Sequence, residues 1–266
     1  MAFHPIKTKL PSFLCVGAQK AGTTTLHSLL GLHPSIFLPS CKEVQFFSLN
    51  YYKGIEWYTK QFSLSKDDNK VGEITPYYLF HPYAAERIFR DLGDIRIIIL
   101  LRDPLARTFS HYSHACRHGF EELALEQALK IESNRLAGSD AILKNNDGRH
   151  QQHQECSYLS RSLYRNQVER YWNYFGKSNV LILPSELMFS SPWNCLTKIF
   201  NFIGLMPCAK PEKKILNVHK NKGNATLLQN IDPLVVSRIR KSLEDSYRFA
   251  IDEIGWDTSL NWHWNS

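Results

Sequence analysis

A short apolar run that ends in a glycine-rich loop constrains the fold of this chain more than any other feature. Residues 13–16 predict a buried strand, and residues 17–22 form the loop that follows it. Leu26, Leu29 and Leu30 then recur at the spacing of one helix face. A strand, a glycine-rich turn and a helix in this order direct free backbone N–H groups and the positive end of a helix dipole towards the turn, which favours an anion.

The polar side chains of this loop indicate which anion it binds. Lys20 adds a positive charge, and Thr23, Thr24 and Thr25 add hydroxyl donors at the start of the helix. The two glycines have the spacing of a nucleotide triphosphatase loop, but such a loop needs lysine where Thr23 stands. The pattern therefore predicts a phosphate-type ligand and argues against an ATPase or a GTPase.

The remaining elements indicate one α/β domain. Predicted buried strands alternate with predicted helices, and Asp103 followed by Pro104 is a typical helix start. Such alternation predicts a three-layer sandwich, in which helices flank a central parallel sheet. The domain is expected to span 1–266, with a core over about 12–260. The predicted strands are 13–16, 71–74, 96–101 and 180–183, and the predicted helices include 54–62, 83–92, 162–175 and 233–254.

Residues 134–157 differ from the rest of the chain because polar side chains dominate them. Asn145, Asn146, Asp147 and Gly148 are followed by a run of histidine and glutamine. We predict a mobile surface loop inserted into the domain. Such a loop is compatible with a lid over an acceptor site and equally with a solvated insertion that has no role.

Composition excludes several classes of protein. Hydrophobic residues make up 43% of the 266 residues, which excludes a disordered chain. The longest apolar run, 97–101, is too short to cross a bilayer, and residues 1–7 lack the apolar segment of a signal peptide. Six scattered cysteines suit a reducing compartment, so a cytoplasmic protein without a membrane partner is expected. The net charge of +7 suits an anionic ligand, but no nucleic-acid-binding motif accompanies it.

Several blocks of the sequence together resemble one known family. The chain is similar, over about 12–260 and in the family's order, to sulfotransferases that use 3′-phosphoadenosine 5′-phosphosulfate (PAPS). The similarity is greatest to the heparan sulfate and N-sulfotransferase group and to soluble bacterial members. The resemblance implies a P-loop-like fold, a 5′-phosphosulfate-binding loop and sulfuryl transfer to a hydroxyl or an amine. The matching blocks are 17–26, 42–47, 50–58, 72–78 and 97–112, with weaker ones at 162–164 and 222–223.

The resemblance also implies which residues form the site. Glu43 is implied as the general base, and Lys20 as the group that stabilises the leaving phosphate. Arg102 and Ser110 are implied to bind the 3′-phosphate, and an arginine at the end of an apolar strand suits a phosphate on chemical grounds as well. The implied cofactor-binding residues are Gln19, Lys20, Ala21, Gly22, Thr23, Thr24, Thr25, Arg102, Ser110, Tyr164, Lys222 and Gly223.

Plainer interpretations of these residues stay open. Glu43 is also a candidate for a solvated loop glutamate or a partner of Lys42. Arg102 is a candidate for a surface ion pair, and Tyr164 is equally a candidate core aromatic. Three histidines recur on one predicted helix face at 111, 114 and 118, but no acidic partner suggests a metal site, and no metal is expected. The alternative functions are a P-loop kinase that acts on a small molecule and a non-catalytic nucleotide- or glycan-binding module.

One departure from the heparan group bears on the acceptor. In that group a lysine follows the glutamate that matches Glu73, whereas this chain has Ile74 there. The substitution argues against a heparan-type polyanion and favours a small-molecule acceptor, such as a secondary metabolite, or another glycan. The sequence leaves open the acceptor's identity, the atom that is sulfated and the oligomeric state.

Overall fold

A five-stranded, entirely parallel sheet forms the centre of the structure, and helices flank it. The structure is a computed structural model, and it describes residues 9–208, 231–256 and 262. The strand order is β2-β3-β1-β4-β5, with parallel pairing between all neighbours. This architecture confirms the predicted three-layer, P-loop-like α/β sandwich. The strands are β1 (Phe13–Gly17), β2 (Ile36–Phe37), β3 (Lys70–Ile74), β4 (Arg96–Leu101) and β5 (Val180–Pro184).

The helices follow the predicted order, with some differences in extent. The predicted helix 233–254 is interrupted at Leu243 and forms two helices. The sequence analysis did not predict β2 or the helices around 125–155 and 185–202. The helices are α1 (Thr23–Leu30), α2 (Ile55–Lys60), α3 (Ala84–Leu92), α4 (Pro104–Arg117), α5 (Leu125–Leu136), α6 (Ser139–Leu143), α7 (Gln151–Glu155), α8 (Tyr164–Phe175), α9 (Ser185–Ser190), α10 (Pro192–Phe202), α11 (Pro233–Ser242) and α12 (Glu244–Asp252).

The central strands are apolar because both of their faces are covered. β1 lies between β3 and β4, with Leu14 in register with Glu73 on one side and Ile97 on the other. Every residue of β1 is buried, as are the last five residues of β4. Since the strands are parallel, all their carboxyl ends meet at one edge of the sheet. The loop after β1, Thr75 after β3 and Arg102 after β4 therefore lie along the same edge.

Two local features fix the chain at this edge. Asp103 caps α4 by accepting a hydrogen bond from the Ala106 amide at 2.7 Å, and Pro104 occupies the first helical turn, as the sequence predicts. Gly17 ends β1 against Leu79, where a Cβ atom would lie 2.5 Å from the Leu79 Cβ. A larger residue at this position would therefore displace the segment that follows β3.

The prediction of a surface loop at 134–157 is wrong over much of its length, because the segment contains α6 and α7 and the end of α5. Leu143 and His153 are buried. Backbone carbonyls of this segment accept hydrogen bonds from two buried arginines: Arg87 reaches Leu143 at 3.1 Å, and Arg161 reaches His153 at 3.0 Å. The polar composition misled the prediction because short helices can carry exposed polar side chains while their backbone carbonyls bind buried cations.

Three further findings concern the described residues. Within them, no helix has the length and apolar character needed to cross a membrane. All six cysteines fall in this part of the chain and are free thiols. The described ranges contain no group of three or more histidine, cysteine, aspartate or glutamate side chains that could hold a metal ion.

Candidate active site

A cavity of about 350 Å³ opens at the carboxyl edge of the sheet, over the start of α1. Its wall combines the loop after β1 with the segment that carries Glu43. The predicted loop residues, up to Thr25, and Glu43 thus share one cavity, although they lie 18 or more positions apart in sequence. The lining residues are Gln19, Lys20, Gly22, Thr23, Thr24, Thr25, Glu43, Pro76, His114 and Phe189.

The loop between β1 and α1 is bent by two residues in the left-handed region. Lys20 has φ of 72°, and Gly22, the N-cap of α1, has φ of 90°. Because Gly22 has no side chain, the N-cap residue cannot cap the first-turn N–H groups of this helix. The hydroxyl residues that follow, Thr23 to Thr25, line the cavity. This end of α1 therefore combines a positive dipole end with hydroxyl donors, which suits a phosphate or sulfate group.

Lys20 lies in an environment that disfavours its own charge. Burial is the largest cause, followed by the nearby cations Arg117, Arg102 and Arg107, and together they lower the pKa of Lys20 to about 8. Glu43 has a weaker opposite effect and raises the pKa of Lys20. An amine held near positive side chains gains most when an anion enters, since the anion offsets the repulsion among the cations. The loop thus suits an anion in its electrostatics as well as in its geometry.

Glu43 also lines the cavity, and it lies on a tightly bent segment. Its φ is 65° and that of Gln45 is 58°, both in the left-handed region. The Glu43 carboxylate is paired with Lys42 and accepts a 3.4 Å hydrogen bond from the side-chain amide of Gln45. The side chain is 34% exposed. The structure therefore combines both interpretations of this residue: Glu43 is the partner of Lys42, and it faces the cavity beside Lys20.

Arg102, Ser110 and Tyr164 lie behind the loop. The Arg102 guanidinium donates to the Lys20 carbonyl oxygen at 3.1 Å, and the Tyr164 hydroxyl donates to the Arg102 carbonyl oxygen at 2.7 Å. Tyr164 is fully buried, so it supports the end of β4 from within the core, and Ser110 is buried on α4. Arg102 is thereby tied to the loop that contains Lys20, and the fully buried Ala21 completes that loop.

Comparison with known proteins identifies the family to which this fold belongs. The sulfotransferase domain family model matches residues 10–249, which is most of the chain. This chain belongs to the sulfotransferase family. The match includes every predicted site residue, from the loop at Gln19 to Gly223.

Individual relatives agree with this assignment. A sulfotransferase from Alicyclobacillus acidocaldarius has a TM-score of 0.76 and 25% identity, and the match covers 96% of this chain and 99% of that one. The membrane-associated sulfotransferase kil1 of Dictyostelium discoideum is 26% identical over 95% of this chain and 68% of its own length. The mouse bifunctional heparan sulfate N-deacetylase/N-sulfotransferase 4 is 34% identical over 74% of this chain and 23% of its own length.

Two of the predicted site residues of this sulfotransferase, Lys222 and Gly223, lie outside the described residues. Gln19, by contrast, is held by a direct contact. Its side-chain oxygen accepts a 2.6 Å hydrogen bond from the guanidinium of Arg161, which also binds the backbone of α7. The Arg161 guanidinium stacks on the ring of Tyr77, with its carbon 4.8 Å from the ring centre. The cavity wall is therefore connected to the segment that was predicted to be a loop.

The cavity also contains residues that the sequence analysis did not assign to the site. His114 lies on α4, and its pKa is lowered to about 4, first by burial and then by Lys20, His118 and Arg117. It is therefore neutral at pH 7, and its environment makes it a weak base. A signal for this position was present, because His114 follows Ser110 by one helical turn and shares its face.

Phe189 is a second residue of this kind. It lies on α9 and is 44% exposed, and its ring atoms approach to 3.0 Å of where a Gly22 Cβ atom would be. Glycine at the N-cap of α1 thus lets an aromatic ring lie against the anion-binding loop. No local pattern marks Phe189, because it reaches the cavity only through the packing of α9 against the sheet.

Proposed function

We propose that this sulfotransferase moves the sulfuryl group of PAPS to a hydroxyl or an amine of a small-molecule or glycan acceptor. The observation that supports this proposal most directly is the shared cavity, which is lined by Lys20, by Thr23 to Thr25 and by Glu43. Sulfuryl transfer requires an anion-binding site and a proton acceptor on either side of the reacting sulfur, and the cavity offers both.

On the donor side, the chain's own groups suit a polyanionic nucleotide. In the reaction the bond between sulfur and the bridging phosphate oxygen breaks, and adenosine 3′,5′-bisphosphate leaves. Lys20 neutralises the negative charge that develops on that oxygen, and the threonine hydroxyls hold the 5′-phosphate. Arg102 and Ser110 bind the 3′-phosphate, which distinguishes PAPS from ATP. Lys222 and Gly223 complete the nucleotide site in this proposal.

On the acceptor side, Glu43 acts as the general base. The acceptor oxygen or nitrogen forms a bond to sulfur while its proton passes to the Glu43 carboxylate. The pairing of Glu43 with Lys42 orients the carboxylate, and the exposure of the Glu43 side chain leaves it accessible to an acceptor. General base catalysis typically contributes about 10²–10⁴-fold to a rate.

The residue that follows Glu73 bears on the class of acceptor. Ile74 is only 2% exposed, where the heparan-type enzymes resembled in sequence have a lysine. An apolar, buried residue at this position supports an acceptor with lower negative charge than heparan sulfate. We propose a small molecule, such as a secondary metabolite, or a glycan, and a cytoplasmic location for the reaction.

The test is a transfer assay with ³⁵S-labelled PAPS against panels of alcohols, amines and glycans, in which the labelled product is identified by mass. We expect label to appear on an acceptor, and we expect Glu43→Gln to lower kcat by about 10²–10⁴-fold while the affinity for adenosine 3′,5′-bisphosphate is retained. Glu56→Gln, on the exposed side of α2, is the matched control and should behave as the wild type. Mg²⁺-dependent turnover of ATP without any transfer from PAPS would overturn the proposal.

A further inference from the structure

We propose that Glu73 is a positioning residue, which holds the segment that carries Glu43 through the hydroxyl groups of Thr75 and Tyr78. The proposal rests on the proposed function only in calling Glu43 the base. Glu73 lies on β3, fully buried, in register with Leu14 at the centre of the apolar sheet. A carboxylate at such a place is costly unless hydrogen bonds satisfy it, so its presence calls for a role.

Three hydroxyl groups donate to this carboxylate. The Thr75 hydroxyl donates to Oε1 at 2.5 Å, the Tyr78 hydroxyl donates to Oε1 at 2.9 Å, and the Tyr58 hydroxyl donates to Oε2. Burial raises the pKa of this carboxyl, and the three hydrogen bonds have the opposite, smaller effect. The three hydroxyl protons are directed at Glu73, which fixes the orientation of the hydroxyl groups.

Two of these hydroxyl groups connect Glu73 to the segment at 43–47. A hydroxyl group has one proton and two lone pairs, so a hydroxyl that donates to Glu73 can still accept a hydrogen bond from an amide. The backbone N–H of Gln45 donates to Thr75 Oγ1 at 3.5 Å, and the backbone N–H of Phe47 donates to the Tyr78 oxygen at 3.3 Å. Glu73 is thus connected to the backbone amides of Gln45 and Phe47, each through one intervening hydroxyl group.

The segment needs such support because its conformation is unfavourable by itself. Glu43 and Gln45 have φ of 65° and 58°, and neither is glycine. Residues with a side chain pay a steric cost in this region, so the conformation persists only where the surroundings impose it. The hydrogen bonds donated by the Gln45 and Phe47 amides hold the backbone two and four residues after Glu43. If this backbone relaxed, the Glu43 carboxylate would turn away from the cavity.

Tyr58 provides a matched control. Its hydroxyl donates to the same carboxylate, but the two amides of the segment bond to Thr75 and Tyr78 instead. Its ring stacks on Phe46 with 4.5 Å between ring centres, and phenylalanine would keep that contact. Tyr58→Phe therefore removes a buried hydrogen bond of the same kind without breaking the connection to the segment.

The experiment compares Thr75→Val and Tyr78→Phe with Tyr58→Phe. Backbone hydrogen exchange over 43–47 and steady-state transfer kinetics are measured for each. We expect the first two variants to accelerate exchange in this segment by about tenfold and to lower kcat by about tenfold, with the KM for PAPS unchanged. Tyr58→Phe should lower the melting temperature and change neither quantity. Thr75→Ser, which keeps the hydroxyl group, should have the wild-type exchange rate over 43–47 and the wild-type kcat.

Two further measurements separate positioning from general stability. Thr75→Val should not lower kcat further when Glu43 is already glutamine, because it acts through Glu43. Equal effects of Tyr58→Phe and Thr75→Val on segment exchange, or unchanged exchange in Thr75→Val and Tyr78→Phe, would overturn the proposal. Hydrogen exchange needs no turnover, so a protein that transferred no sulfuryl group would refute the proposed function while the exchange data still decided the role of Glu73.

Discussion

The lowered pKa of Lys20 predicts that nucleotide binding depends on pH in a defined range. Burial and the neighbouring cations Arg117, Arg102 and Arg107 bring this pKa to about 8 in the free protein. About three quarters of the Lys20 side chains are then charged at pH 7.5, and about one tenth are charged at pH 9. The free protein therefore loses a binding charge over this range as the pH rises.

The ligand for this test is adenosine 3′,5′-bisphosphate. Its phosphates have second pKa values near 6, so its charge is constant above about pH 7.5. If the ligand binds only when Lys20 is protonated, its Kd should rise about eightfold between pH 7.5 and pH 9. By linkage, binding should take up about half a proton at pH 8, because the bound anion raises the pKa of Lys20.

Isothermal titration calorimetry in two buffers of different ionisation enthalpy measures both quantities. Lys20→Met is the matched control, since it keeps the length of the side chain without the charge. That variant should bind more weakly, without proton uptake and without this dependence on pH. A wild-type Kd that stays constant from pH 7.5 to pH 9, with no proton taken up, would refute the reasoning that Lys20 meets the phosphates.

Two other predictions concern buried or partly buried arginines. Arg102→Ala should abolish the rise in melting temperature that adenosine 3′,5′-bisphosphate causes, because it removes both the proposed phosphate contact and the hydrogen bond to the Lys20 carbonyl. Arg96→Ala is the control, because Arg96 is exposed at the start of β4, and this variant should retain the rise. A retained rise in Arg102→Ala would contradict the assignment of Arg102 to the phosphate. Arg161→Met should lower the free energy of unfolding in urea by about 2–5 kcal/mol, because it leaves buried acceptors on Gln19 and α7 without their donor. Arg165→Met, whose ion pair with Asp245 is exposed, should cost less than about 1 kcal/mol, and equal losses in the two variants would refute the role given to Arg161.

Much of the fold could be predicted because its signals are local. The apolar run of β4 was predicted at the residues where the structure has it, and the Asp103–Pro104 helix start is confirmed. A buried parallel strand must be apolar on both faces, so its composition alone marks it. β2 was missed because it has only two residues, too few to show a period.

The segment at 134–157 shows where local composition misleads. Its polar residues indicate a solvated loop, yet Arg87 and Arg161 bind its carbonyl groups from within the protein. Both arginines lie outside the segment, and no pattern within 134–157 announces them. Side-chain polarity says nothing about the backbone carbonyl groups, and the fold decides whether water or a buried side chain satisfies those groups.

The sequence by itself determined the anion-binding loop and the order of the strands and helices along the chain, since these depend on residues close together. It also marked Lys20 and Glu43, through blocks whose resemblance extends over most of the domain. Only the tertiary structure decided that His114 and Phe189 reach the same cavity, that Tyr164 lies in the core, and that Glu73 is connected to the segment of Glu43. These facts depend on how separate elements pack, and packing distances between distant residues leave no period or spacing in the sequence.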